Sequence, residues 1–123
     1  MADKLTTLLI ELAKRTRNGS FTWDPTATAG VYQASFPRYT LQLSVRRTPI
    51  GSEDYVLTIL NSEGTVIEQA ADTDFANRLQ DALPMMSEMY SAARRQALGV
   101  DGAIDDILGE LSKRDVSHQA EEL

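Results

Sequence analysis

Tyr39-Thr40-Leu41-Gln42-Leu43-Ser44-Val45-Arg46 alternates apolar residues at odd positions with polar residues at even positions. A period of two is the mark of a strand with one face on a core and the other in water. Shorter runs of the same kind lie on both sides. Phe21 and Trp23 define a short first strand that Asp24-Pro25 breaks. Val31 to Phe36 follows Gly30 as a second strand, and Pro37-Arg38 links it tightly to the third, Tyr39 to Arg47. After the loop Thr48 to Ser52, Tyr55 to Leu60 forms a fourth strand and Thr65 to Gln69 a fifth. Links this short favour antiparallel neighbours, because parallel pairs need long crossovers. The fourth strand is apolar on both faces, which suits a central strand or one whose second face is covered.

Helical spacing flanks the block. Leu5, Leu8, Leu9 and Leu12 follow i, i+3, i+4, i+7, with Asp3 placed to cap the helix and Asn18-Gly19 to end it. Phe75, Leu79, Leu83, Met86, Tyr90, Ala93 and Ala97 mark the buried side of a C-terminal helical segment, with Asp72 or Thr73 as its cap. Pro84 sits inside it and predicts a kink or break near Leu83. Gly99 ends that segment. Asp101 then caps a last helix bearing Ile104, Ile107, Leu108 and Leu111. The reading is a two-layer α+β domain over residues 1–112: an N-terminal helix, a five-stranded, mostly antiparallel meander, and C-terminal helices. Periodicity fades after position 112, so 113–123 reads as a flexible tail. The expected core includes Leu8, Leu12, Trp23, Leu41, Leu43, Val45, Leu57, Ile59, Ile67, Leu79, Met86, Tyr90, Ile107 and Leu108.

The 123 residues contain no cysteine, which removes disulfides, thiolate metal sites and cysteine nucleophiles. No stretch approaches the ~18 apolar residues of a membrane span, and Met1 to Arg15 has no cleavage site after it, so no membrane is involved and a cytoplasmic location is expected. Net charge is −6. Residues 1–50 hold seven basic and three acidic side chains, while 51–123 hold five and fifteen. The acidic balance weighs against nucleic acid. The basic first half and the aromatics Phe21, Trp23, Tyr32, Phe36 and Tyr39 keep a nucleic-acid surface as one alternative, with Arg38, Arg46 and Arg47 beside them.

Catalytic signatures are sparse. The one histidine, His118, lies in the expected tail. Asp101, Asp105, Asp106 and Glu110 are dense, but a calcium loop starting at Asp101 would meet Ala103 at its third position and Asp106 where glycine belongs. Helix N-terminal electrostatics explain them more simply. There is no phosphate-binding glycine motif and no zinc-protease or nucleophile-elbow motif. No cofactor or metal is expected, and an enzyme built on carboxylates and arginines is the other alternative.

The leading reading is a non-enzymatic module that binds a protein partner: an adaptor, an immunity-type inhibitor or a dedicated chaperone. Two surfaces are candidates. Thr40, Gln42, Ser44 and Arg46 form the polar side of the third strand, uncharged except at its end, and can hydrogen-bond a protein surface at low desolvation cost. Met85 and Met89 share a helical stripe of the adaptable kind that receives peptides or helices, unless the last helix folds over them. Arg94 and Arg95 point outward nearby to pair with carboxylates. A homodimer through an exposed apolar stripe is a further option. In size, acidity and helix–sheet–helix plan the chain resembles small secretion chaperones that clamp an effector's chain. Those interrupt their sheet with a helix after three strands, whereas this sequence runs five without a break, so no residue roles carry over.

Overall fold

The computed structural model describes the backbone of residues 3–122 and the side chains of residues 3–114. Helix α1 spans Lys4–Arg17 and is followed by strands β1 (Asp24–Pro25), β2 (Tyr32–Ser35), β3 (Tyr39–Arg47), β4 (Glu53–Asn61) and β5 (Val66–Ala71). Then come α2 (Asp72–Phe75), α3 (Ala82–Leu98) and α4 (Val100–Glu122). The five strands form one antiparallel sheet in the order β1-β2-β3-β4-β5. The α+β class and the uninterrupted meander stand as the alternation in β3 implied. β1 differs: its two paired residues are Asp24 and Pro25, not Phe21 to Trp23. Proline is tolerated there because β1 is an edge strand.

Odd residues of β3 face the helices. Leu41 lies opposite Ala34 and Ile59, and Leu43 opposite Tyr32 and Leu57. With Leu9, Leu12, Trp23, Phe75, Met86, Met89 and Ala93 they form the core. A fully buried side chain of this size contributes about 1.5–3 kcal/mol. Buried polar atoms are satisfied in place: Trp23 Nε1 donates to Thr16 Oγ1 at 3.0 Å, and the Trp23 amide donates to Gln96 Oε1 at 3.1 Å. Tyr32, Tyr90 and Tyr55 pack in a row with centroids 5.4 and 5.6 Å apart, and the Tyr90 hydroxyl donates to the Gly30 carbonyl at 2.7 Å.

Helix ends follow local chemistry. Asp3 caps α1, its Oδ1 accepting from the Thr6 amide at 2.9 Å, and that bond is the main reason its carboxyl is held below the usual range. Asn18 closes α1. The anticipated interruption near Pro84 is a break before it: α3 starts at Ala82, leaving Pro84 in the first turn, where a missing N–H costs nothing. Leu83 turns outward there, half exposed. Asp72 does not cap a helix by its side chain. It is buried, and its Oδ1 accepts the Tyr55 amide of β4 at 2.8 Å.

Gly99, with φ +64°, is the only residue between α3 and α4. A left-handed residue ends one helix and redirects the chain, and glycine adopts it without strain. α4 thus begins at Val100, before Asp101, which lies in its first turn and pairs with Arg95 instead of capping. The backbone of α4 continues through 113–122, the stretch in which helical spacing fades in the sequence. His118 lies beyond the described side chains.

Candidate functional site

The proposed surface residues fall into two groups that do not converge. Thr40, Gln42, Ser44 and Arg46 do share one face, on the outer side of the sheet. The register aligns Gln33, Gln42, Thr58 and Gln69 in one row across β2 to β5, and Gln69 Nε2 donates to Thr58 Oγ1 at 3.0 Å. Arg46 stands opposite Asp54 and pairs with it at 3.5 Å. The centre of this face is therefore uncharged, and its one cation is occupied.

Met85, Met89, Arg94 and Arg95 lie on α3, in the helical layer behind the sheet. Met89 is 2% exposed and belongs to the core, so it is no part of a surface in the folded monomer. Met85 is half-buried and packs against that core. The two methionines approach Ala13 and Thr16, so the cover over this stripe comes from α1 rather than from the last helix. Arg17 reinforces the junction, donating from Nε and Nη2 to the two Glu88 oxygens at 2.9 and 3.0 Å. Arg95 is tied to Asp101, and Arg94 is exposed.

The sheet aromatics do not form an open platform. Trp23 and Tyr32 are buried, and Phe21 packs edge-on to Trp23 and stacks on Phe36. Arg38 lies over the Tyr39 ring, 6.0 Å from its centroid. The exposed edge of β5 is also closed to strand addition. The Gln69 amide is taken by Glu68 Oε1 at 2.9 Å, and the Ala71 amide by Asp74 Oδ2 at 2.8 Å. Carboxylates on edge amides deter pairing with another strand.

Among the described residues, α4 carries more exposed large apolar side chains than any other element. Ile104, Ile107, Leu108 and Leu111 are 44–58% exposed. Ile107 and Leu108, expected in the core, lie outside it. The reason is geometric: α1 and the sheet already occupy the apolar side of α3, so α4 has no face left to cover. Ile67, also expected in the core, is 52% exposed. It is the residue that the register of edge strand β5 skips, since Ile59 pairs with Glu68 and Leu60 with Val66, so Ile67 has no partner on β4.

At 3.6 residues per turn, positions 104, 107, 108 and 111 form one continuous ridge. Asp101, Asp105, Asp106 and Glu110 are the only charged side chains between 100 and 112. Lys113 pairs with Glu110 at 3.6 Å, while Asp105 and Asp106 make no salt bridge among the described residues. The sequence spacing already contained this ridge. The signal that it is external was the lack of a second unused apolar stripe to receive it.

Two larger clefts lie among the described residues. One, of about 370 Å³, lies between the ends of α1 and α3 and the start of α4, lined by Thr16, Arg17, Arg95, Gln96 and Asp101 among others. Its charged groups are already in ion pairs. The other, about 240 Å³, is an open groove along α4 beside Ile107 and Leu111. Among the described residues, two titratable groups are displaced: Asp3 downward as a helix cap, and Tyr90 upward, chiefly because burial disfavours its phenolate. Among the described residues, no group of three or more acidic or histidine side chains is arranged to hold a metal ion, and no helix is long and apolar enough to cross a membrane. No family model, curated protein or solved structure matches this chain.

Proposed function

We propose that this chain is a non-enzymatic, cytoplasmic protein-interaction module that presents α4 to a partner. The observation that carries this reading is the ridge of Ile104, Ile107, Leu108 and Leu111, left half exposed beside a body whose own core is complete. Anchors at i, i+3, i+4 and i+7 are the recognition pattern of a helix that docks in an apolar groove. Completing the burial of four such side chains contributes on the order of 1 kcal/mol each. That suffices for specific association when a polar rim adds direction. The α+β body serves as the scaffold, and Gly99 sets the direction in which the helix leaves it.

Site-specific photocrosslinking in cells tests the proposal. A crosslinker at Leu108 should give a discrete adduct that disappears with Ile107→Asp, while one at Gln42 should give none. An adduct at Gln42 alone would move the function to the sheet's outer face and defeat the α4 reading.

A further inference from the structure

We infer that the partner α4 meets is a second copy of this chain, whose own α4 lies antiparallel along the ridge. This deepens the reading of α4 as the docking element and rests on it. Every described side chain from Asp101 to Arg114 is exposed, so the body packs none of them closely. A helix in a protein draws most of its stability from packing an apolar face, and α4 also carries Gly102 and Gly109 against its own propensity. An occupant on the ridge supplies the packing that the body does not.

The choice of occupant rests on how charge runs along α4. Its described charged side chains are Asp101, Asp105, Asp106 and Glu110, followed by Lys113 and Arg114. Asp101 pairs with Arg95 and Glu110 with Lys113. Asp105, Asp106 and Arg114 make no salt bridge among the described residues. Asp106 and Arg114 both line the groove beside Ile107 and Leu111, about two turns apart. The groove thus has an apolar floor, an unengaged carboxylate toward one end and an unengaged guanidinium at the other. Such a groove is complementary to itself read backwards. A two-fold axis near residue 109 sets Ile107 level with the second copy's Leu111, and Leu111 level with its Ile107. The same axis brings Arg114 within about 3 Å, measured along the helix, of the second copy's Asp106, and does so twice.

The connection to the body agrees. α4 leaves it at Gly99, and its backbone runs 23 residues, about 34 Å. Antiparallel pairing puts the two bodies at opposite ends of the helix pair. Parallel pairing would crowd both at one end and set Asp106 beside Asp106 and Arg114 beside Arg114. The contact is small, so weak, concentration-dependent association is the expected form.

The test uses the full-length chain. Light scattering over a concentration series should show monomer passing to dimer, and Ile107→Asp with Leu111→Asp should hold it monomeric. Arg114→Glu should weaken the dimer about fivefold, because two cross-helix pairs are lost, and adding Asp106→Arg should restore it. The chain has no cysteine, so Leu108→Cys should give a disulfide-linked dimer on air oxidation. Ile104→Cys should not, since it lies about 15 Å from its mate along the helix. A dimer that survives the double aspartate substitution, or one indifferent to Arg114→Glu, is built on another contact and overturns the inference. Ready crosslinking of Ile104→Cys signals a parallel pair and also overturns it. Monomer at every concentration does the same, and the cellular crosslink at Leu108 then decides the fate of α4. An adduct with a protein of another mass keeps α4 as the docking element and makes that protein the occupant, whereas no adduct defeats the α4 reading itself.

Discussion

The indole Nε1–H of Trp23 donates to Oγ1 of Thr16 across 3.0 Å inside the core, where both residues are almost fully buried. This bond joins the last turn of α1 to the chain just before β1, and Gln96 of α3 adds the Trp23 amide to the same junction. Three elements are fixed at one point, by an indole bond that is buried and a Gln96 bond that is partly buried.

Thr16→Val keeps the shape but leaves the indole N–H without an acceptor. The expected loss of stability is about 1–3 kcal/mol, the cost of an unsatisfied buried donor. Thr16→Ser should recover much of it. Urea denaturation followed by Trp23 fluorescence reads both variants.

Tyr90 is held by its hydrogen bond to the Gly30 carbonyl and by the neighbouring tyrosines. Its folded-state pKa is raised, chiefly by desolvation. The neutral phenol is therefore favoured by folding. Its contribution is fully present below the unfolded pKa of about 10 and is lost as pH rises through the folded value. Ultraviolet titration at alkaline pH should show one tyrosine ionising late, and Tyr90→Phe should remove that phase. The same variant is expected to lose about 0.5–1.5 kcal/mol at neutral pH. A late phase that persists in Tyr90→Phe would count against this assignment.

One substitution placed at two methionine or isoleucine positions separates core from ridge. Met89→Asp buries an unpaired charge where the side chain is 2% exposed, and should abolish cooperative folding or cost more than about 3 kcal/mol. Ile107→Asp alters a side chain 58% exposed and should leave the melting temperature of the body within about 2 °C. Thermal melts followed by near-ultraviolet circular dichroism make the comparison.

Gly102 and Gly109 lie in α4 with open space where a Cβ would stand. An outlying helix gains little from tertiary packing, so its own propensity governs its helix content. Gly102→Ala and Gly109→Ala should each favour the helix by about 1 kcal/mol. Far-ultraviolet circular dichroism should rise in helicity, and the affinity of any α4-dependent partner should increase because less ordering is required on binding.

The polypeptide by itself determined what depends on near neighbours. The alternation of Tyr39 to Arg46 set β3 and its two faces, short links set the antiparallel meander, Asp3 and Asn18 bounded α1, and Gly99 ended α3. Each of these follows from backbone sterics or a side chain within a few residues. Periodicity also marked Ile104, Ile107, Leu108 and Leu111 as one helical face, but an apolar stripe carries the same spacing whether it meets a core or water. Only the tertiary structure decided that α1 claims Met89, that Asp72 anchors β4 and that Ile67 falls on an open edge, because burial depends on which surfaces compete for the same apolar face. α1 and the sheet fill the available sides of α3. The last helix is therefore left outside, with its apolar ridge uncovered.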